Sequence, residues 1–293
     1  MEGYKNIDNI SSQSIEQEYV ISSQSKFFED QKQRYQPKVE DFLNEPGYDP
    51  EEVQKEIDLS QKLKSRWEGS GDDFEKGNKK IADIFEGIIV DQFCGAWMAN
   101  KAEAFFAADA DDYLRKVDCV IEFAGEGDKG QLEYLGLGID VTFSSDYMTL
   151  KNKLDSIWDE EIEKAKQVKI KYVDTENYKG SLDIFRAVLA TNKETVLELA
   201  RLYKNKERDK LDEHPYLANA LFQIKYQLES YLNYAIKKPL PGPYLVEIVK
   251  TLKTFYTVYT EKEEFLLKHA DDVQKTHSFQ TIRSYCDDKL NSI

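Results

Sequence analysis

The spacing of hydrophobic positions changes along the chain from a helical repeat to a strand-like one and back. Between Lys79 and Met98 apolar residues recur every three or four positions, which predicts one core helix with a wide apolar face. Two compact apolar runs follow, Val117–Phe123 and Leu135–Phe143, and their β-branched and aromatic residues predict buried strands. The stretch Ala124–Gln131, which contains Gly, Asp and Lys, predicts a turn that folds the second strand back against the first.

The pattern downstream is helical, apart from one further strand. Leu150–Gln167 carries its apolar residues on one side and predicts an amphipathic helix, and Val168–Val173 alternates in the manner of a third strand. Beyond Gly180 the spacing predicts helices throughout, at Phe185–Tyr203, Pro215–Ile236 and Tyr244–His269. We expect these helices to pack on one another, with the following aromatic side chains at least half buried: Tyr203, Tyr226, Tyr231 and Phe255.

The N-terminal part of the chain differs from the rest by its polar composition. It is rich in Ser, Gln, Glu and Lys and ends in a linker-like segment at Gly69–Asp73, so we expect it to be peripheral. The whole pattern predicts an α+β fold, in which a small mixed sheet is flanked by helices and the N- and C-terminal regions are all helical. The predicted boundaries are residues 1–76, 77–175 and 176–293.

Composition and charge limit the classes of function. The chain has 293 residues, of which 41% are hydrophobic, and can therefore bury a real core. No stretch approaches the roughly 20 apolar residues of a membrane span and the N-terminus is too polar for a signal peptide, so we expect a cytoplasmic protein with no membrane partner. The formal net charge of −15 argues against broad, sequence-independent binding to nucleic acid, although a local basic groove can coexist with an acidic remainder.

Cysteine and histidine patterns do not predict a site. The three cysteines are far apart and lack C-x-x-C spacing, so we expect reduced packing residues. The three histidines, His214, His269 and His277, have no partners at metal-ligand spacing.

Two further local patterns predict backbone features. Asp111 and Asp112 precede the first predicted strand and favour a turn with capping side chains. Gly136 and Gly138 lie within the second predicted strand and predict close approach of another backbone or of a substrate.

Each strand of the predicted hairpin carries an aspartate, Asp118 in the first and Asp140 in the second. An ionised carboxylate in a core is costly unless it is paired, hydrogen-bonded or bound to a metal, and two on neighbouring strands repel unless a cation lies between them. Mg²⁺ or Mn²⁺ is the candidate cofactor. The alternative is structural, with Asp118 accepting backbone N–H bonds and Asp140 paired with a lysine. Glu122, on the same strand face as Asp118, is a further ligand or a solvated partner.

This arrangement resembles the core of the PD-(D/E)xK nuclease superfamily. In that family one strand carries an Asp, the next carries (D/E)-x-K, and a preceding helix often adds a Glu. The resemblance covers roughly Lys79–Val173, with Asp118 in the first position and Asp140 in the second. It implies a hydrolase, a magnesium-dependent endonuclease that acts on phosphodiester bonds of DNA or RNA, with Glu86, Asp118 and Asp140 as metal ligands.

The chain departs from the family pattern at its third position. Thr142 stands where the family has its lysine, and no proline precedes Asp118. A threonine hydroxyl can hydrogen-bond but carries no charge, so the resemblance implies weak or absent cleavage. Some members place the lysine on the following helix, where Lys164 and Lys166 are candidates, with Lys166 our choice for the catalytic set. Both are equally well explained as a solvated helix face.

Either Glu86 or Glu103 can be the glutamate that the family often places on the helix before the two strands. Glu86 lies on the long apolar helix near the face that must pack on the sheet, which makes it the preferred one, while Glu103 is closer in sequence to Asp118.

Two functions follow from this pattern. One is a divergent metal-dependent nuclease with DNA or RNA as its substrate. The other is a non-catalytic interaction or scaffold protein, in which the same core supports C-terminal helices that bind a protein partner.

Overall fold

The computed structural model describes residues 4–70, 73–126, 132–143, 147–176 and 178–293. The helices in these ranges are α1 (Tyr4–Tyr35), α2 (Pro50–Ser70), α3 (Asp73–Phe93), α4 (Asp109–Arg115), α5 (Tyr147–Ile157), α6 (Lys193–Lys204), α7 (Arg208–Asp212), α8 (Pro215–Lys237), α9 (Gly242–Glu261), α10 (Glu263–Val273) and α11 (His277–Asn291). The strands are β1 (Ala102–Phe106), β2 (Cys119–Glu126), β3 (Leu132–Thr142), β4 (Val168–Asp174) and β5 (Lys179–Ala190). Short 3₁₀ turns lie at Val39–Phe42 and Ala96–Met98, and a π-helical turn at Trp158–Ile162 follows α5.

The strands of these ranges form one mixed sheet in the order β1-β2-β3-β5-β4. Strands β1, β2 and β3 pair antiparallel, and β5 pairs parallel with β3 and antiparallel with β4. In the hairpin, Cys119 pairs with Ile139, which confirms the predicted pairing of the two apolar runs. The α+β fold, with a small mixed sheet flanked by helices, is the predicted one. Asp140 also pairs with Val188 of β5, so this strand supports it from the other side.

Strand β5 corrects the prediction of a helix over Phe185–Tyr203. Every residue of Ile184–Ala190 is buried because both faces of this strand are covered in the middle of the sheet, and all of them except Arg186 are apolar. Such a run fits a helix or a buried strand equally well. Only Lys193–Lys204 is helical, as α6. The sheet thus continues past residue 175, where we divided the core from the C-terminal region; that division stays a prediction.

Two smaller differences concern segment ends. Strand β1, within a stretch left open between helix and extended chain, extends the sheet beyond the predicted hairpin. The helix predicted over Leu150–Gln167 is α-helical only as far as Ile157, continues as the π-helical turn and has ended before Lys166.

The main hydrophobic core covers one face of the sheet. Alternate residues of β2 and β3, such as Ile121 and Ile139, pack there against α3, α5 and the C-terminal helices. On the opposite face a smaller cluster includes Val120 and Ile184. Gly136 makes room for Ile184 at this face, since a Cβ at this glycine would lie 2.6 Å from the isoleucine Cγ2. The close approach predicted at the glycines is therefore made by side chains of β5.

The outer edge of β5 is closed by two glutamines of α8. Strand β4 pairs with β5 only as far as Ile184. The backbone groups that later residues of β5 direct away from β3 therefore have no strand partner. Gln227 donates to Val188 O and accepts from Val188 N, both at 2.9 Å. Gln223 bonds the N–H and the carbonyl of Ala190 in the same way, at 2.8 and 2.9 Å. One turn apart on α8, the two amides thus act as the next strand of the sheet.

The C-terminal helices pack as predicted, except that the helix predicted over Tyr244–His269 is divided between α9 and α10. Tyr231 and Phe255 are buried, and Tyr203 and Tyr226 are partly buried against the main core. No helix in the described part of the chain is long and apolar enough to span a membrane.

Helix α1 was expected to be peripheral, and this is wrong. It packs along α3 and α6, with Val20 and Phe28 inside the main core.

Candidate functional site

Asp118 and Asp140 face each other across the β2–β3 pair, as predicted. Asp118 directly precedes β2, and its backbone N–H donates at 3.0 Å to the backbone oxygen of Ile139, the residue that pairs with Cys119. Asp118 thus lies beside the end of β3, where the charge of Asp140 acts on it. The Asp118 carboxylate also accepts from the backbone N–H of Val141 at 2.6 Å. This bond fixes the carboxylate next to the strand that carries Asp140.

Burial and like charge both act on Asp118. Burial raises the pKa of the Asp118 carboxyl, and the charge of Asp140 raises it further, while Lys153 opposes the rise. The side chain is only partly exposed, and Asp140 is 3% exposed. Two carboxylates at one edge of a core thus repel each other, which is the situation that a cation relieves.

Glu86 joins this edge of the sheet from α3, together with a lysine and an aspartate from elsewhere in the chain. Lys32 of α1 places its Nζ 2.8 Å from Glu86 Oε1, 3.2 Å from Glu86 Oε2 and 3.2 Å from Asp112 Oδ2. Burial raises the pKa of Glu86 to about 8, with Asp118 and Asp112 adding to the rise and Lys32 opposing it. Burial likewise raises the pKa of Asp112 to about 6.

Lys153 of α5 contacts the second aspartate. Its Nζ donates to Asp140 Oδ1 and, at 3.2 Å, to the backbone oxygen of Val141. Its side chain is 29% exposed. Burial lowers the pKa of Lys153, but the charges of Asp140 and Asp118 outweigh this effect, so that its pKa lies above the ordinary value and the ammonium is retained.

Lys166, chosen from the sequence, is not brought to this site. It is exposed and lies beyond the end of the helix, and Lys164 is also exposed. The lysine that contacts Asp140 is Lys153, and the spacing of residues in the sequence indicates its position. Leu150, Leu154 and Ile157 form the buried stripe of α5, and Lys153 falls within this stripe at helical spacing. A charged residue inside an apolar stripe needs a buried partner, and here the partner is Asp140.

The remaining predicted residues divide between this edge and other parts of the fold. Thr142 is buried at the end of β3, two residues after Asp140 on the same strand face, and its backbone oxygen accepts from Thr191 N at 3.0 Å. Glu103 is exposed on β1 and pairs with Glu122 of β2. Of the two candidate acids, only Glu86 lies on a helix.

The acidic turn before β2 is helix α4, and its two aspartates have different roles. Asp111 is fully buried and accepts from the backbone N–H groups of Lys171 and Tyr172, each at 3.0 Å, which ties β4 to α4. Asp112 belongs with Lys32 and Glu86. The expectation of a capped turn is wrong here, because both carboxylates are used in long-range contacts.

We call the following side chains the lysine–carboxylate cluster: Glu86, Asp112, Asp118, Asp140, Lys32 and Lys153. With all six groups ionised, four carboxylates and two ammonium groups leave a formal charge of −2, and protonation of Glu86, whose pKa is about 8, reduces it to −1 near neutral pH. Within the described residues, no three side chains of the Asp, Glu, His or Cys type come close enough together to hold a metal ion. Mg²⁺ nevertheless needs only one or two carboxylates, since water and substrate phosphates complete its coordination.

The donor set suits such an ion. Asp118 and Asp140 offer carboxylate oxygens and Val141 offers its carbonyl oxygen, all hard ligands of the kind that Mg²⁺ and Mn²⁺ prefer. Lys153 Nζ already donates to Asp140 Oδ1 and to the Val141 carbonyl oxygen, so these oxygens stabilise a positive charge. Comparison with protein-family models, with curated proteins and with solved structures found no match for this chain.

Proposed function

We propose that this chain is a divergent metal-dependent nuclease that hydrolyses phosphodiester bonds of DNA or RNA. The observation that carries the proposal is the meeting of two strand aspartates, one acid from the preceding helix and one lysine from the following helix at a single edge of the sheet. These are the residue types and the chain order that the resemblance to the PD-(D/E)xK superfamily implies, with the lysine moved from position 142 to Lys153.

Each residue has a separate role in this proposal. Asp118, Asp140 and the Val141 carbonyl would hold Mg²⁺ or Mn²⁺, which when bound lowers the pKa of a water ligand and polarises the phosphate. Lys153, beside Asp140, would stabilise the negative charge that develops on the phosphate, a contribution that Thr142 cannot make. Glu86 is bonded to Lys32 through both oxygens, so we assign it to holding that lysine in place.

The scaffold alternative is favoured by one observation. Glu86, Asp112 and Asp140 already have lysine partners, so most of the cluster can be explained by ion pairs that stabilise the core. In that case the cluster has no further chemistry and the protein acts through a surface. The two functions differ in what a divalent ion does to the folded protein.

Metal binding is tested by thermal melting with and without millimolar Mg²⁺ or Mn²⁺. We expect the ions to raise the melting temperature of the wild type, because a ligand that binds only the folded state stabilises it, and Asp140→Asn to abolish the rise. Cleavage is tested on single- and double-stranded DNA and RNA under the same conditions. We expect Asp140→Ala to abolish it.

The role of Lys153 is tested by Lys153→Met, with Lys166→Met as the matched control on an exposed lysine nearby. Loss of one charge that stabilises the transition state costs on the order of 100-fold in rate, so Lys153→Met should lose cleavage while still binding metal. Lys166→Met should behave as the wild type. If Lys153→Met instead cleaves faster, Lys153 blocks the site. If the wild type neither binds metal nor cleaves, the nuclease proposal is wrong and the scaffold function gains support.

A further inference from the structure

Arg186 is a buried arginine in the middle of strand β5. Its side chain is 1% exposed, and it is the only charged residue in the run Ile184–Ala190. The residue that pairs with Arg186 on β3 is Gly138, two positions before Asp140. A Cβ at Gly138 would lie 3.3 Å from Arg186 Cγ, so glycine at this position leaves room for the arginine side chain to lie over β3.

The guanidinium group of Arg186 joins two segments that are far apart in the sequence. Its Nε donates to Glu161 Oε1, in the π-helical turn that follows α5. Its Nη1 donates to the backbone oxygen of Arg115 at 2.8 Å and to that of Lys116 at 3.4 Å, both at the C-terminal end of α4. Carbonyl groups at the end of a helix favour a positively charged donor of this kind.

Each of the two joined segments leads to a residue of the candidate site. Helix α5, which runs into the π-helical turn, carries Lys153. Asp118 follows Lys116 by two residues, where the chain enters β2. A second contact connects the same segments, since Lys116 Nζ donates to Ser156 Oγ of α5 at 2.9 Å. Arg186 therefore links the helix that carries Lys153 to the turn that precedes Asp118.

Stability does not account for the Arg186–Glu161 pair. The Glu161 side chain is 4% exposed, and its Oε2 has no hydrogen-bond partner in the described part of the chain. Burial raises the pKa of Glu161 to about 7 although Arg186 opposes the rise, so the cost of burying this charge exceeds the attraction. Apolar residues of similar volume often replace such a pair without loss of stability. The contribution of the pair is therefore the arrangement that it enforces, a role that buried ion pairs have in some proteins.

We propose that Arg186 is a positioning residue of the candidate site: held by Glu161, its guanidinium group fixes the turn that precedes Asp118 relative to the helix that carries Lys153. This inference rests on the proposed function, because it assigns Arg186 the alignment of groups that act there. Arg186 acts through these residues and is not itself a catalytic residue.

The first test compares hydrogen exchange in the wild type and in the double variant Arg186→Met/Glu161→Met. Removing both charges of the buried pair leaves no unpaired charge, so we expect the double variant to fold. The Lys116 and Asp118 amides, which donate within this region at 3.0 Å, should exchange about tenfold faster, the factor that corresponds to one net hydrogen bond. The amide of Leu228, buried in α8, should exchange as in the wild type.

The second test measures cleavage with Mn²⁺ on whichever DNA or RNA substrate the wild type cleaves. We expect kcat of the double variant to fall about 100-fold with KM unchanged, because small displacements of aligned groups cost this much in rate. Arg186→Lys keeps the charge but replaces the planar fork of donors by one ammonium group, and should show the same loss. Glu160→Met is the matched control: it removes an exposed carboxylate 3.9 Å from Arg186 and should leave both readouts unchanged.

The outcomes separate this inference from the proposed function. A wild-type rate of cleavage in the double variant or in Arg186→Lys would leave the nuclease in place and overturn the role of Arg186. Equal increases in exchange at Lys116, Asp118 and Leu228 would show a general loss of stability and would also overturn it. No cleavage by the wild type would overturn the proposed function, and this inference with it. If the double variant does not fold, Arg186→Lys replaces it in both comparisons.

Discussion

The sharpest structural prediction concerns the glutamine that holds the strand beside Asp140. Gln227 is completely buried on α8, and its amide bonds both backbone groups of Val188, the residue that pairs with Asp140 across β3 and β5. The substitution Gln227→Met keeps the length and flexibility of the side chain while removing both hydrogen bonds. It therefore isolates the polar contribution from the packing contribution.

The expected loss of stability follows from the two backbone groups of Val188 that lose their hydrogen-bond partner. The Val188 N–H and C=O would stay buried without a partner, at about 1–3 kcal/mol for each unsatisfied group, whereas the apolar packing of the stem is retained. We expect Gln227→Met to lower the free energy of unfolding by about 3 kcal/mol after partial relaxation. This is a large share of the roughly 5–15 kcal/mol by which domains are stable.

Urea unfolding, followed by far-UV circular dichroism and by the fluorescence of the buried Trp97 and Trp158, measures this difference. The midpoint should fall with no change of slope, since the surface exposed on unfolding stays the same. Gln54→Met on α2 is the matched control: its amide donates only to the exposed Asp58 in the described contacts, and the change should stay within about 0.5 kcal/mol. Equal effects of the two substitutions would show that water, and not the glutamine, satisfies the edge of β5.

Further predictions follow for two buried positions. Burial raises the pKa of the Glu161 carboxyl from 4.5 to about 7, although the charge of Arg186 opposes the rise. Between these two pKa values the folded state binds more protons than the unfolded chain. The free energy of unfolding should therefore fall by about 3 kcal/mol as the pH rises from about 4.5 through 7. Urea unfolding at about pH 5 and about pH 8 should show this fall in the wild type and not in Glu161→Gln, and an equal fall in both would assign it to other groups. Gly136→Ala should lower the free energy of unfolding by about 1–3 kcal/mol, because the new Cβ would lie 2.6 Å from Ile184 Cγ2. Gly77→Ala, where nothing lies within 4 Å of the new Cβ, should be neutral or slightly stabilising in the same urea unfolding assay. Equal urea midpoints for the two variants would contradict the close contact at Gly136.

Local spacing was enough to predict the elements whose pattern has one period and one buried face. The apolar stripe of α3 is of this kind. The two aspartate runs are predicted as strands by their β-branched and aromatic residues and by the polar stretch between them, of which residues 127–131 lie outside the described part of the chain. The pairing of Asp118 with Asp140 could be predicted for the same reason, since antiparallel strands joined by a short connection must lie side by side.

Residue spacing and composition are therefore enough to predict the α+β class, the pairing of the two strands and their two aspartates. They are not enough to show that Ile184–Ala190 is a strand, because a run buried on both faces carries no period that distinguishes a strand from a helix. Only the tertiary structure decided this, and it also decided which lysines reach the carboxylates. Lys32 lies 54 residues before Glu86. A contact between residues so far apart in the sequence depends on how two helices pack, here through Phe28 of α1 against Gly87 of α3, and no local pattern predicts it.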